Sequence, residues 1–326
     1  MASEGYQIAH VNNAVFLGGY TMRLFIVGNG FDRAHNLPTS YWDFRTYLET
    51  YHPDFLQAFE QHYYIVPNDS EAFKRNLLWN DFETNLANID EEIIIEDALG
   101  LEMGLESGDV GIEDTLRHYF RSEYQYINKL AGYLKQWVKT IPLGATHPIT
   151  SQISHNSNDI FITFNYTSVL EDIYQIASEA VLHIHGSLQE NDEDPILGHG
   201  NRNRIEDIKA KINDAVIWSD EKKVSICRVI EEYYNTTFKN IANYMHKLGP
   251  LYKYRPQEII VIGHSVAGID LPYYKKIDDL TNRKALWKVY YFDKTKEDSM
   301  RQALIEQGIS HKRVQMVHCA EFYDLT

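Results

Sequence analysis

Cysteine is scarce. The 326-residue chain has two, Cys227 and Cys319, and they form no Cys-x-x-Cys pair. That excludes a disulfide framework and points to a reducing compartment, so a cytoplasmic location is expected. Long apolar runs are also missing. The densest short cluster, Ile93-Ile94-Ile95, is flanked by Glu and Asp. Nothing approaches the ~20 apolar residues of a membrane-spanning helix, so no membrane partner is expected. No basic segment followed by an apolar one opens the chain, so no secretory signal is read. Residues 1–21 are loop-like, and Met22, directly before the first strand-like run, is an alternative start.

Positive charge is short as well. There are 31 Lys and Arg against 46 Asp and Glu, a net charge of −15. Non-specific nucleic-acid binding needs positive surface, so nucleic acid is not favoured as a partner. The deficit is local. No Lys or Arg lies between Arg75 and Arg117, while twelve acidic residues run from Asp81 to Asp114, which accounts for −12 of the −15. The remainder is near neutral, and a local basic groove stays open. Internal repeats and low-complexity tracts are absent. What is abundant is tyrosine, 23 residues, whose rings pack while their hydroxyls stay wet.

Arg23 to Val27 reads as a buried strand running into Gly28-Asn29-Gly30. Such a turn lets backbone approach backbone or a diphosphate, although the third glycine of the dinucleotide pattern is Arg33 here. Thr39 is placed to N-cap a helix to Thr50, and Asp54 a second one bearing Phe55, Leu56, Phe59 and Tyr63. A turn at Pro67–Ser70 precedes a stripe of Phe73, Leu77, Leu78, Phe82 and Leu86. The acidic stretch 90–112 reads as a loop or solvated helix end, and a long helix is expected over 113–139. Residues 44–140 therefore read as a mainly helical insert.

Strands then alternate with helices. Strands are expected at 160–163, 181–184, 195–197, 258–262, 287–292 and 313–317, with helices at 167–177, twice within 203–250, and at 271–280 and 295–307. This pattern predicts an α/β fold: a Rossmann-like parallel sheet of about six to seven strands with helices on both faces. Residues 22–43 and 141–326 form that domain.

The polar clusters fall just after the expected strands, where α/β sheets bind ligands. Asn29 and Asp32 follow the first, Asn165 and Thr167 the second, His185 the third, His199 the fourth, and His264, Ser265 and Asp270 the fifth. Asn165 offers both a donor and an acceptor to a ribose hydroxyl or a water. Thr167 is read as a helix cap. His185 suits a general base, whereas His183 reads as a structural histidine. Gly263-His264-Ser265-Val266-Ala267 also resembles a nucleophile elbow, with Asp293 and His318 in triad order, although Pro272 comes early for the helix behind it. A metal-dependent nuclease built on His183, His185, His199, His264 and Asp32 is a further alternative.

Taken as a set, Gly28-Asn-Gly-Phe-Asp32, Leu37-Pro-Thr-Ser-Tyr41, Trp79-Asn-Asp-Phe-Glu83, Thr163-Phe-Asn-Tyr166, His183-Ile-His-Gly186 and Ile262-Gly-His-Ser265 with Asp270 resemble the AbiH family of bacterial phage-defence (abortive infection) proteins. The match covers about 23–275. More distantly, the spacing from Gly28 to Pro38, with Thr163-Phe-Asn165 and Ile184-His-Gly-Ser187, is similar to the sirtuin-like NAD-binding fold. The sirtuin zinc cysteines are absent, and Asp32 stands where that family has serine.

The resemblance implies an antiphage effector that hydrolyses NAD to nicotinamide and ADP-ribose when triggered. Asn165 and His185 would be the catalytic pair, with Asp32 stabilising positive charge on the ribose. Gly28, Asn29, Gly30, Phe31, Thr163, Gly263, Ser265 and Asp270 would contact the nucleotide. No prosthetic group or metal is expected; NAD or a related nucleotide is the expected substrate. A phage-derived trigger and a homo-oligomer or partner subunit are the expected partners. A non-catalytic nucleotide sensor remains the alternative.

Overall fold

The computed structural model describes residues 22–91, 129–155, 158–188 and 195–324. The chain divides into two compact units. One comprises Met1–Thr39, Thr140–Pro195 and Ile241–Thr326, the other Ser40–Lys139 and Ile196–Asn240.

The first unit is built on one sheet. Its strands are β1 (Arg23–Val27), β2 (Ile160–Thr163), β3 (Val181–His183), β4 (Glu258–Ile262), β5 (Leu286–Tyr291) and β6 (Val314–His318). The spatial order is β3-β2-β1-β4-β5-β6, and every neighbouring pair is parallel. With helices around it, this is the Rossmann-like α/β fold. Leu24 to Val27 of β1 are all 0% exposed, and Ile259 to Ile262 of β4 reach at most 1%. Central strands covered on both faces need apolar residues on both, which is why they read as unbroken runs.

The helices Leu271–Leu280 and Glu297–Glu306 bury Tyr273, Tyr274, Ile277, Met300 and Leu304 in a core shared with Leu24, Ile26, Val261 and Trp287. Each such side chain contributes ~1.5–3 kcal/mol of hydrophobic stabilisation. Phe25 stacks on Phe161 with ring centroids 4.9 Å apart. One buried charge is fully satisfied: Asp278 accepts both arms of Arg313, each at 2.7 Å, and Trp287 Nε1 at 3.1 Å.

The register fixes the functional edge. Val27 aligns with Thr163 on one side and with Ile262 on the other. The residues that follow these three strands therefore emerge at one level. The chain moves outward from β1 to β3, then returns to the other side of β1 as β4. Sheets of this kind bind ligands where the strand order reverses, here between β1 and β4.

The second unit is helical. It holds Tyr41–Tyr51, Pro53–Gln61, Glu71–Lys74 running on as a π-helix over Arg75–Trp79, a helix over 129–138, and the hairpin of Arg202–Ile217 and Glu221–Thr236. Phe44, Phe59, Trp79, Phe82 and Trp137 form its aromatic core. Arg45 and Glu60 are buried as a pair at 2.7 Å, and Trp79 Nε1 donates to the same carboxylate at 2.7 Å. Among the described residues no helix is long and apolar enough to cross a membrane.

Several local expectations change. Residues 195–197 are not a strand; His199 instead makes an isolated bridge with Phe238, and 196–240 belongs with the helical unit. A three-residue apolar run cannot be told from a packed loop without its partner. Ser40, not Thr39, caps the helix at Tyr41, in a reciprocal box with Asp43. Pro53, not Asp54, opens the next helix, as proline's fixed φ favours at N1. Of the helical stripe, Leu78, Phe82 and Leu86 are buried, but Phe73, just before the π-helix, and Leu77, within it, are 45% and 37% exposed. The helix expected over 113–139 is described only from 129, and most of the acidic stretch lies outside the described residues.

Candidate functional site

The glycines of the first turn are needed for packing. Gly28 N–H donates to Ile262 O at 3.0 Å, Gly30 N–H to Gly263 O at 2.7 Å, and Phe31 N–H to Gly28 O at 2.9 Å. A Cβ on Gly28 would lie 2.7 Å from His264 Cα, and one on Gly30 2.8 Å from Gly263 Cα. Gly263 sits at φ +71, and a Cβ there would meet Phe31 N at 2.2 Å. The turns after β1 and β4 thus interlock backbone to backbone. Their amides at 28, 30 and 31 are already bonded to protein carbonyls.

The neighbours follow from that interlock. Phe31 is fully buried against His35, Tyr174, Phe322 and Tyr323, as a core residue. Asn29 is exposed and donates through Nδ2 to Thr39 O at 2.8 Å. Asp32, one turn further on, is 1% exposed.

Asp32 and Asn165 form the centre of the cluster. Asn165 Nδ2 donates to Asp32 Oδ1 at 2.7 Å and to Gly28 O at 3.2 Å. Thr167 Oγ1 donates to Asp32 Oδ2 at 2.5 Å. Thr167 therefore does not cap the π-helix Val169–Ile173, whose N-cap is Ser168 with no side-chain capping bond; Ser168 Oγ donates to Asp172 Oδ2 instead. A buried carboxylate needs every donor within reach, whereas water can satisfy an N–H at a helix start. Thr163 Oγ1 accepts from Asn165 N–H at 3.1 Å. Burial pushes the Asp32 carboxyl up to about 7; the Thr167 and Asn165 hydrogen bonds and the charge on His183 pull the other way.

His183 has the partners of a structural histidine, in line with its reading as one. Its Nδ1 meets Asn165 O at 3.0 Å and its Nε2 meets Glu171 Oε1 at 2.8 Å. Both partners are acceptors, so a ring protonated at both nitrogens satisfies them together. Glu171 was not legible as a partner, because nothing in the chain marks which strand it will face.

His185 lies in a second cluster, around Asp270. His185 Nε2 is 3.5 Å from Asp270 Oδ1, and His264 Nε2 is 3.6 Å from Asp270 Oδ2. His264 Nδ1 accepts from Val266 N–H at 3.0 Å, which places the ring proton on Nε2, facing Asp270. Phe164 joins the two clusters. It precedes Asn165 in the chain, and its ring lies edge-on to His185 at 5.2 Å and to His264 at 4.5 Å. Tyr273 and Tyr244 complete the wall around His185. Burial and the nearby Asp270 raise the Tyr274 hydroxyl well above its ordinary range.

The rival chemistries fare less well. Ser265 is exposed, Asp293 accepts from Thr295 N–H in a cap, and His318 Nδ1 accepts from Ala320 N–H. No hydrogen bond links these three among the described residues. His199 belongs to the helical unit, where Nδ1 accepts from Asn201 N–H and burial pushes the imidazole down to about 4. Among the described residues no group of three or more His, Cys, Asp or Glu is arranged to hold a metal ion.

The strand ends of the first unit therefore bring together Asp32, Thr163, Asn165 and Thr167 in one group, and His185, His264 and Asp270 in another. Two open surface clefts, one around Arg228 and Thr236 and one around His147 and Asp172, include none of them.

No curated protein matches the sequence. A family model described as bacteriophage abortive infection AbiH matches residues 24–291, from β1 through the last residue of β5, and so takes in both clusters. The chain belongs to the AbiH family of bacteriophage abortive-infection proteins.

Proposed function

We propose that this AbiH protein is an abortive-infection effector that binds NAD at the strand ends of its sheet and, when triggered, hydrolyses it to nicotinamide and ADP-ribose. The observation that carries the reading is Asn165. Its Oδ1 is buried without a hydrogen-bond partner at the end of β2, beside the Asp32 carboxyl and next to the point of strand reversal. An unused buried acceptor there suits a sugar hydroxyl. The distant similarity of the motifs to the sirtuin-like fold supports NAD over other nucleotides.

In this reaction the bond between C1′ of the ribose and the nicotinamide nitrogen breaks. Its electron pair leaves with the nicotinamide, which becomes neutral and needs no proton. Positive charge develops on the ribose and is relieved by water, whose oxygen bonds to C1′. His185 takes the proton that water loses, with Asp270 orienting the ring. Asp32, pushed up to about 7 by burial, favours the positive ribose in its charged form.

Asp32, Asn165 and His185 are each less than a tenth exposed. Substrate reaches them only after a movement, and a resting protein that spares cellular NAD needs such a gate. The proposed trigger is phage-derived.

The test is nicotinamide release from NAD by the purified protein, with and without lysate of phage-infected cells. His185→Ala and Asn165→Ala should each lower triggered release at least 100-fold. Release unchanged in His185→Ala would refute the mechanism. NAD bound but never cleaved would make the crevice a nucleotide sensor.

A further inference from the structure

Asn165 carries five hydrogen-bonding positions: its backbone N–H and C=O, two side-chain N–H groups, and Oδ1. Four are tied down. The backbone N–H goes to Thr163 Oγ1 and the backbone C=O receives His183 Nδ1. The Nδ2 group reaches Asp32 Oδ1 at 2.7 Å and Gly28 O at 3.2 Å. Only Oδ1 is left over, in a residue 7% exposed.

The sense of the amide is not arbitrary. A carbonyl can only accept, and so can a carboxylate oxygen unless it is protonated. The group that lies against both Gly28 O and Asp32 Oδ1 must therefore be the NH2. Turned over, the amide would place oxygen against oxygen at two points. Each oxygen of Asp32 in turn already accepts a protein hydrogen bond, one from Asn165 and the other from Thr167.

We infer that Asp32 is a positioning residue that locks the Asn165 amide oxygen outward from the carboxyl, so that the subsite at the end of β2 accepts only a hydrogen-bond donor: a sugar hydroxyl, and not a phosphate oxygen. This rests on the proposed binding of an NAD-type nucleotide and adds the group that is read there. Phosphate oxygens are acceptors and anionic, and would face the Asn165 oxygen with a buried carboxyl behind it. The diphosphate is held elsewhere, in keeping with the glycine-turn amides being bonded to Ile262 and Gly263 carbonyls.

The inference separates hydrogen-bond geometry from charge at position 32. In Asp32→Asn the new Oδ1 still accepts from Asn165, and the new Nδ2 donates to Thr167, whose hydroxyl turns to accept. The lock survives. In Asp32→Ala it is lost.

The experiment measures binding of NAD and of its analogues lacking the 2′- or the 3′-hydroxyl of the nicotinamide ribose, by calorimetry on the purified protein before and after exposure to lysate of phage-infected cells. Wild type and Asp32→Asn should bind one of the two analogues at least about tenfold more weakly than NAD, since a buried acceptor is left unpaired. Asn165→Ala and Asp32→Ala should bind all three within about twofold. Equal binding of all three by wild type, or full discrimination by Asp32→Ala, overturns the inference.

A second readout needs no ligand and no loss of the carboxyl. The Asn165 side-chain NH2, assigned with Asn165→Ala, should exchange slowly in the free wild-type protein; exchange at the rate of an exposed amide overturns the lock. Discrimination without nicotinamide release keeps the inference and removes the hydrolysis. Release without discrimination does the reverse. Failure to bind any of the three compounds, both before and after exposure to lysate of phage-infected cells, overturns both.

Discussion

Asp32→Asn should change how stability depends on pH, and the size of the effect follows from the burial of one carboxyl. Asp32 is 1% exposed, and burial raises it from an ordinary 3.8 to about 7. The folded protein then holds this proton more tightly than the unfolded chain does. Stability from that preference is fully present below about 3.8 and is lost as pH rises to about 7. At ~1.4 kcal/mol per tenfold change in proton affinity, the loss is ~4 kcal/mol.

Asparagine keeps the shape and the bonds to Asn165 and Thr167 but has no proton to lose. The stability of Asp32→Asn relative to wild type should therefore rise by up to ~4 kcal/mol from pH 4 to pH 7, then level off. Other titrating groups are common to both proteins and cancel in the difference. Urea unfolding at half-unit pH steps measures it. Parallel curves from pH 4 to pH 7 would refute the reasoning, and so would a relative stability that falls with pH.

The remaining predictions concern packing and buried charge. Gly263→Ala puts a Cβ 2.2 Å from Phe31 N on a backbone at φ +71. The overlap and the left-handed backbone together should cost ~2–4 kcal/mol in urea unfolding, and a loss under ~1 kcal/mol would show that the interlocked turns yield easily. Arg45→Met leaves Glu60 buried with only Trp79 Nε1 as a side-chain donor among the described residues. It should destabilise by ~3–5 kcal/mol, and Arg45→Met with Glu60→Gln should recover part of this, because the uncompensated charge is gone. A double variant no more stable than Arg45→Met would assign the cost to lost packing instead.

The central strands were legible because their signal is local. A strand covered on both faces must be apolar throughout, so β1 and β4 show as Leu24–Val27 and Ile259–Ile262 wherever they lie in the chain. The same holds for the alternation that implied a parallel sheet and for the short motifs carrying the resemblance to AbiH. Strand ends also predicted that Asp32, Asn165 and His185 would lie at one edge of the sheet, since parallel strands all finish on the same side.

The roles of polar residues were not legible in the same way. Thr167 had two uses open to it, a helix cap or a bond to a buried carboxylate, and only folding brought Asp32 within 2.5 Å. His199 looked like one more strand-end histidine until Phe238 was paired with it in the helical unit. The Gly28-Asn29-Gly30 turn read as a cradle for phosphate, and nothing in its own residues showed that it also packs against Gly263, more than two hundred residues along the chain. Residue type and spacing alone determined the α/β class and the edge of the sheet where chemistry is expected, and the short motifs carried the resemblance to the family. Tertiary structure decided which glycines pack, which partners each histidine takes and which oxygen of Asn165 is buried without a hydrogen bond. The reason is physical: apolar periodicity is set by the element a residue belongs to, whereas a polar group takes the best partner that the fold brings to it.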